Sequence, residues 1–134
     1  MDTKKILIIE DDYYVRELYE RVLTKAGYEI ITAADGQEGV QLVLQQSPSL
    51  ILLDIMLPGK NGLNVLRQLK ESDEMSGIPV IIMSNLGQDS VIHEAMEIGA
   101  AEYFLKPDID PYEMAEKIKR FFENGKIEKG KIEK

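Results

Sequence analysis

The chain is predicted to be an α/β domain, a five-stranded parallel sheet wound on both faces by five helices. Two observations predict this class. Short apolar runs alternate strictly with segments whose apolar residues recur at helical spacing, the pattern of successive βα units. Four of the runs also stop at a residue able to engage phosphate or metal. Ile6-Leu7-Ile8-Ile9 ends at Glu10, Asp11 and Asp12, and Leu50-Ile51-Leu52-Leu53 ends at Asp54. Val80-Ile81-Ile82-Met83 ends at Ser84, and Tyr103-Phe104-Leu105 ends at Lys106. If these runs are parallel strands, their carboxyl ends share the edge at which such sheets bind ligands.

The first run is followed by Val15, Leu18, Tyr19, Val22, Leu23 and Ala26 at helical spacing, with Gly27 as the stop. Glu29 to Ala33 reads as the second strand. Asp35-Gly36 turns into a helix carrying Val40, Val43 and Leu44, which Ser47-Pro48 breaks before the third strand at Leu50 to Leu53. A loop with Pro58, Gly59, Lys60, Asn61 and Gly62 leads to a helix with Leu63, Leu66 and Leu69 on its inner stripe. Pro79 introduces the fourth strand, through Met83. Ser90 is the expected cap of a fourth helix that ends at Gly99. The fifth strand covers Glu102 to Leu105. The last helix begins near Pro111 and buries Met114, Ile118 and one of Phe121 and Phe122. Right-handed crossovers then give a flavodoxin-like doubly wound sheet in the order 2-1-3-4-5. Its switch point lies between strands one and three, whose ends carry Glu10, Asp11 and Asp54.

The 134 residues, 44% apolar and 30% charged, suit one globular domain with a single hydrophobic core. No apolar stretch approaches a transmembrane length, so membrane insertion is not expected. The N-terminus runs straight into a strand without a signal-peptide pattern, which points to a cytoplasmic protein. The absence of cysteine excludes disulfides, thiolate catalysis and cysteine-based zinc sites. A formal charge of −8, from 16 basic and 24 acidic residues, repels nucleic-acid phosphate, so no direct nucleic-acid binding is expected. Residues 124–134 carry four lysines and two glutamates, which leaves the remainder at −10. This tail repeats Gly-Lys-Ile-Glu-Lys twice, at 125–129 and 130–134. Two readings stay open for it, a flexible solvated extension and a basic docking arm for an acidic partner.

Acids gathered at one sheet edge repel one another and raise each other's pKa, a tension that a hard divalent cation relieves. Mg²⁺ suits such a site because it takes one or two carboxylates, keeps several waters and shares phosphate oxygens. A solvated acidic turn at a helix start is the plainer account of Glu10, Asp11 and Asp12. Asp54 points to chemistry, since a carboxylate at the open end of a strand can attack phosphorus to form an acyl phosphate. Lys106 can screen that charge or form a plain salt bridge to Asp54 or Asp11. Ser84 can hydrogen-bond a phosphate oxygen or its own backbone.

The segments Ile6 to Asp12 (ILIIEDD), Leu52 to Gly62 (LLDIMLPGKNG), Ile82-Met83-Ser84 and Phe104-Leu105-Lys106-Pro107 resemble the receiver domain of two-component response regulators. The resemblance spans about residues 4 to 123, which gives a receiver domain at 1–123 and a flexible Lys-rich tail at 124–134. It implies that Asp54 is the phosphoacceptor and that Mg²⁺ is held by Glu10, Asp11, Asp54 and the backbone carbonyl of Met56. It implies that Ser84 and Tyr103 are the switch residues, that Lys106 binds the phosphate and that the Lys106-Pro107 bond is cis. The phosphoryl donor is then a sensor histidine kinase or a histidine phosphotransfer protein, with helix one as the usual contact. The switching face is helix four, strand five and helix five. The protein is expected to be a single-domain phosphoacceptor rather than an enzyme. It signals to a downstream protein target as a monomer or phosphorylation-dependent dimer.

Four residues need weighing against the common receiver pattern. Asn85 follows the switch Ser84 where a small residue is usual, and Asp108 follows Lys106-Pro107 where Phe is common. Met56 and Leu86 are apolar at the two positions that tune phosphate lifetime, which predicts slow self-dephosphorylation. The lone His93 reads as a helix-surface residue, and Tyr13 and Tyr14 as packing at the first helix start. A Mg²⁺-dependent phosphohydrolase with an aspartyl-phosphate intermediate is the competing class, but it needs an acid where Met56 stands. A flavodoxin needs a phosphate loop where Glu10, Asp11 and Asp12 would repel the flavin phosphate.

Overall fold

Strands that are apolar on both faces must be covered on both faces, and this requirement organises the molecule. The computed structural model describes residues 3–57 and 61–124. The strands are β1 (Lys5–Ile9), β2 (Glu29–Ala33), β3 (Leu50–Leu53), β4 (Val80–Ser84) and β5 (Glu102–Leu105). They form one parallel sheet in the order β2-β1-β3-β4-β5. Between and after them run α1 (Tyr13–Lys25), α2 (Gly36–Gln46), α3 (Gly62–Glu71), α4 (Asp89–Ile98) and α5 (Pro111–Asn124). The doubly wound α/β reading and its strand order hold.

Alternation along the central strands splits the core in two. Leu7, Ile9, Ile51, Leu53, Val80 and Ile82 face α2, α3 and α4, where Val40, Val43, Leu63, Leu66, Leu69 and Ala95 meet them. Ile6, Ile8, Leu50, Leu52, Ile81 and Met83 face α1 and α5, where Tyr19, Leu23, Met114 and Ile118 close the second layer. Ile6 to Ile9 and Leu50 to Leu53 are wholly buried. At about 1.5–3 kcal/mol for each fully buried aliphatic side chain, these eight residues anchor the sheet centre.

The helix starts follow local chemistry. Asp12 Oδ1 accepts from Tyr14 N–H at 2.9 Å and Val15 N–H at 3.1 Å to cap α1. Asp110 and Glu113 form a reciprocal capping box on α5, with Pro111 as its first residue. The predicted cap of α4 is corrected. Gln88, not Ser90, stands at that cap, without a side-chain hydrogen bond, and Ser90 lies inside the first turn. Leu44 is 51% exposed, Leu18 sits at the solvent edge and Ala26 is exposed, so these three periodic residues lie outside the core. Phe121 and Phe122 are both half-buried and pack edge to face. No described peptide bond is cis, including Lys106–Pro107. That proline lies in a 3-10 turn over Lys106–Asp108, where its fixed φ suits a helical first turn. Asn124 is the last residue of α5, and the remainder of the expected tail, 125–134, lies outside the described residues. So do Pro58, Gly59 and Lys60.

Candidate functional site

Parallel register brings the chemical residues together. Ile9 pairs with Leu53, Leu53 with Ile82, and Ser84 with Leu105. The residue after each strand, or the last one in it, therefore emerges at the same edge. Asp54 N–H donates to Ile9 O at 3.0 Å and Glu10 N–H to Ala33 O at 3.0 Å, which extends the ladder one step past the strands. Beyond Asp54 the chain is pinned by Gly62. A Cβ on Gly62 would fall 2.3 Å from Ile55 Cα, so only glycine lets α3 start this close to the peptide that follows Asp54.

Glu10 is fully buried and Asp54 is 3% exposed, while Asp11 faces solvent. Carboxylate oxygens of these three residues lie within 4.8 Å of one another. Lys106 bridges two of them, with Nζ 2.9 Å from Glu10 Oε1 and 3.0 Å from Asp54 Oδ2. The other Asp54 oxygen accepts from Met56 N–H at 3.0 Å. Among the described residues, Glu10 Oε1 has no polar partner besides this ammonium. Three carboxylates, two of them buried, gathered around Lys106 are the donor chemistry of a hard divalent cation with bound water. The residues present fit Mg²⁺.

On the far side of Asp54, Ser84 is fully buried and its Oγ accepts from Leu86 N–H at 3.0 Å. Tyr103 O–H donates to Leu86 O at 2.6 Å. Both side chains thus rest on Leu86, in the loop before α4. Met56 is 51% exposed and Asn85 is exposed beside Ser84. Asp108 faces solvent within the 3-10 turn. Asp12 caps a helix. His93 is exposed, 3.2 Å from Glu97. Tyr13 and Tyr14, at 55% and 79% exposed, sit at the start of α1, where their rings meet each other at the surface rather than in the core.

Burial pushes the Glu10 carboxyl up from its ordinary value, and the Asp54 charge adds to this; Lys106 and Asp12 N–H oppose it without cancelling it. Burial alone would lower Lys106, but its contacts with Glu10 and Asp54 outweigh burial and raise it. Burial likewise raises Tyr103, against the pull of the Ser84 hydroxyl. A raised Glu10 means that the folded state binds more protons than the unfolded state above the ordinary carboxyl range. Stability in EDTA should therefore fall as pH rises through the Glu10 titration. Urea unfolding at acid and neutral pH should show this slope, and Glu10→Gln should flatten it. An unchanged slope in the variant would count against Glu10 as its source.

Sequence reasoning missed Arg16, half-buried on α1, whose Nη1 donates to Glu10 O at 2.8 Å and reaches Asp11 O at 3.4 Å. Its only signal was a basic residue one turn beyond an acidic cluster. It also missed the close approach of Gly62, which a loop composition does not reveal.

The chain matches the family model described as the response regulator receiver domain over residues 6–119. It is 39% identical over 122 residues to sporulation initiation phosphotransferase F of Bacillus subtilis strain 168, covering 90% of this chain and 95% of that protein. Other curated relatives are transcriptional regulators matched over 48%, 44% and 50% of their own length. The fold is similar to a CheY-like response regulator receiver domain protein from Methanospirillum hungatei JF-1, with a TM-score of 0.84, 28% identity and coverage of 91% and 95%. It is also similar to the Mn²⁺-bound form of response regulator Rcp1, with a TM-score of 0.78, 28% identity and coverage of 89% and 94%. Among the described residues no helix is long and apolar enough to cross a membrane. A parallel sheet in this order, acids, hydroxyl and lysine at its carboxyl edge, and a family match along almost all of that sheet place the chain in the response regulator receiver family of two-component signalling.

Proposed function

We propose that the chain accepts a phosphoryl group onto Asp54 from a phosphohistidine on a sensor histidine kinase or histidine phosphotransfer protein. In this reading the covalent change switches the α4-β5-α5 face toward a downstream protein. The observation that carries the proposal is Asp54 itself. It is nearly buried, with one oxygen on Lys106 and the other on Met56 N–H, beside a fully buried Glu10 that pairs with the same Lys106. The likeness to a phosphotransferase and to a Mn²⁺-bound regulator supports it.

Glu10, Asp11, Asp54 and the Met56 carbonyl would hold Mg²⁺, which when bound supplies positive charge against the carboxylates and the phosphoryl oxygens. The steps belong to the chain's own groups. An Asp54 carboxylate oxygen attacks phosphorus, the P–N bond breaks and its electron pair stays on the imidazole. Lys106 stabilises the charge on the transferred oxygens. Ser84 gives up Leu86 N–H to donate its hydroxyl to the phosphoryl group, and Tyr103 packs inward behind it. The Leu86 loop is the element that both residues bias, and it leads directly into α4.

The test is incubation of the full chain with acetyl phosphate, with Mg²⁺ or with EDTA, followed by intact-mass measurement. One added phosphoryl group, dependent on Mg²⁺ and released by hydroxylamine, is expected; no gain in mass overturns the proposal. Decay of the isolated phosphoprotein should take minutes or longer. Met56 and Leu86 offer no side-chain polar group to orient an attacking water, and a half-life of seconds would contradict that. The competing phosphohydrolase reading gains nothing from the structure, since Met56 supplies no acid beside Asp54.

A further inference from the structure

The three residues Glu10, Asp11 and Asp12 link β1 to α1 and belong to neither, so each of their backbone groups needs its own partner. Glu10 N–H donates to Ala33 O, and Asp12 N–H donates to Glu10 Oε2 at 3.1 Å. Asp12 O accepts the first helical bond, from Arg16 N–H at 2.9 Å. The other two acceptors of the segment are the carbonyls of Glu10 and Asp11. Both are reached by one atom, Arg16 Nη1, at 2.8 Å and 3.4 Å. The guanidinium is itself steadied by the Tyr13 ring, whose centroid lies 5.7 Å from Arg16 Cζ.

We infer that Arg16 is a positioning residue for divalent-cation binding, holding the Glu10 and Asp11 backbone so that their carboxylates converge with Asp54. The inference rests on the Mg²⁺ site of the proposed function. Fixing two successive carbonyls fixes the peptide planes around Glu10 and Asp11, and with them the directions in which both side chains leave the chain. Without that hold, mutual repulsion among three carboxylates within 4.8 Å of one another turns the exposed Asp11 outward, because solvent is open to it. The guanidinium also places positive charge against the same segment. Lysine retains the charge but is a point donor on a flexible stem, without the planar fork.

The experiment titrates Mg²⁺ alone into the full-length wild type, Arg16→Gln and Arg16→Lys, with no phosphodonor present. Binding is read from amide chemical shifts at Asp11 and Asp54, and Tm in EDTA is measured beside it. Arg16→Gln should weaken Mg²⁺ binding about tenfold, the usual scale for a residue that orients metal ligands, and Arg16→Lys should recover part of it. A brace that merely stabilises α1 would lower Tm and leave the affinity of the folded protein unchanged. Affinity within about twofold of wild type in Arg16→Gln, whatever its Tm, overturns the inference and leaves the proposed function intact. If Arg16→Gln does not fold, Arg16→Lys decides alone, and wild-type affinity in it overturns the inference. A wild type that binds no Mg²⁺ at millimolar concentrations overturns both.

Discussion

Asp54→Asn should lose phosphorylation by acetyl phosphate by at least about 100-fold, because an amide oxygen carries no charge with which to attack phosphorus. The substitution is nearly isosteric. Its carbonyl oxygen can take the place of Asp54 Oδ2 and still accept from Lys106, while the amide NH2 forfeits only the bond that Oδ1 accepts from Met56 N–H. The loss of one such bond does not account for an effect of about 100-fold, which is therefore chemical. Intact mass after incubation with acetyl phosphate and Mg²⁺ measures it directly, and the circular dichroism of the variant should match wild type. A variant that gains as much phosphate as wild type would move the acceptor elsewhere and end the assignment of Asp54.

The second large effect is on stability. Lys106→Met removes the ammonium that bridges Glu10 and Asp54, and it leaves two buried carboxylates facing each other. Breaking a buried ion pair by deleting one partner usually costs about 3–5 kcal/mol; a site at an open sheet edge relaxes more easily, so about 2–3 kcal/mol is expected. Urea unfolding in EDTA at neutral pH checks it. The deficit should shrink on acidification, since Glu10 takes up its proton more readily once the ammonium is gone. Millimolar Mg²⁺ should also shrink it if the cation replaces the lost charge. A variant as stable as wild type in EDTA would mean that the carboxylates reach solvent more freely than their burial indicates.

These two residues also show what could be read in the chain and what could not. Asp54 and Lys106 were legible because each follows an apolar run, and parallel strands place run ends on one edge whatever the helices do. The bounds of β2, β3 and β5 follow from the same runs, with few competing signals. Periodicity was weaker at margins. Leu18 and Leu44 fall on helical spacing yet lie at the edge of a stripe that the sheet does not cover, and spacing alone cannot say how wide that cover is. Ser90 has the chemistry of a cap, but the helix begins two residues earlier, with Gln88 at the cap. Arg16 was hidden because its partners are backbone carbonyls, which every residue has. The Glu10–Lys106 pair was hidden for a different reason. The plainer salt-bridge reading offered Asp54 or Asp11, and only side-chain packing selects Glu10.

Helix α4 fully buries a single residue, Ala95, and an Arg67–Glu94 ion pair ties it to α3. Val91, Met96 and Ile98 contribute only partly to the core. The outer half of this helix is therefore nearly free of folding duties, while the strand ends that carry Glu10, Asp54 and Ser84 are buried in the sheet. Under the proposed function, α4 belongs to the face that meets a partner, so substitutions on its outer half would change what a partner reads at little expense in folding.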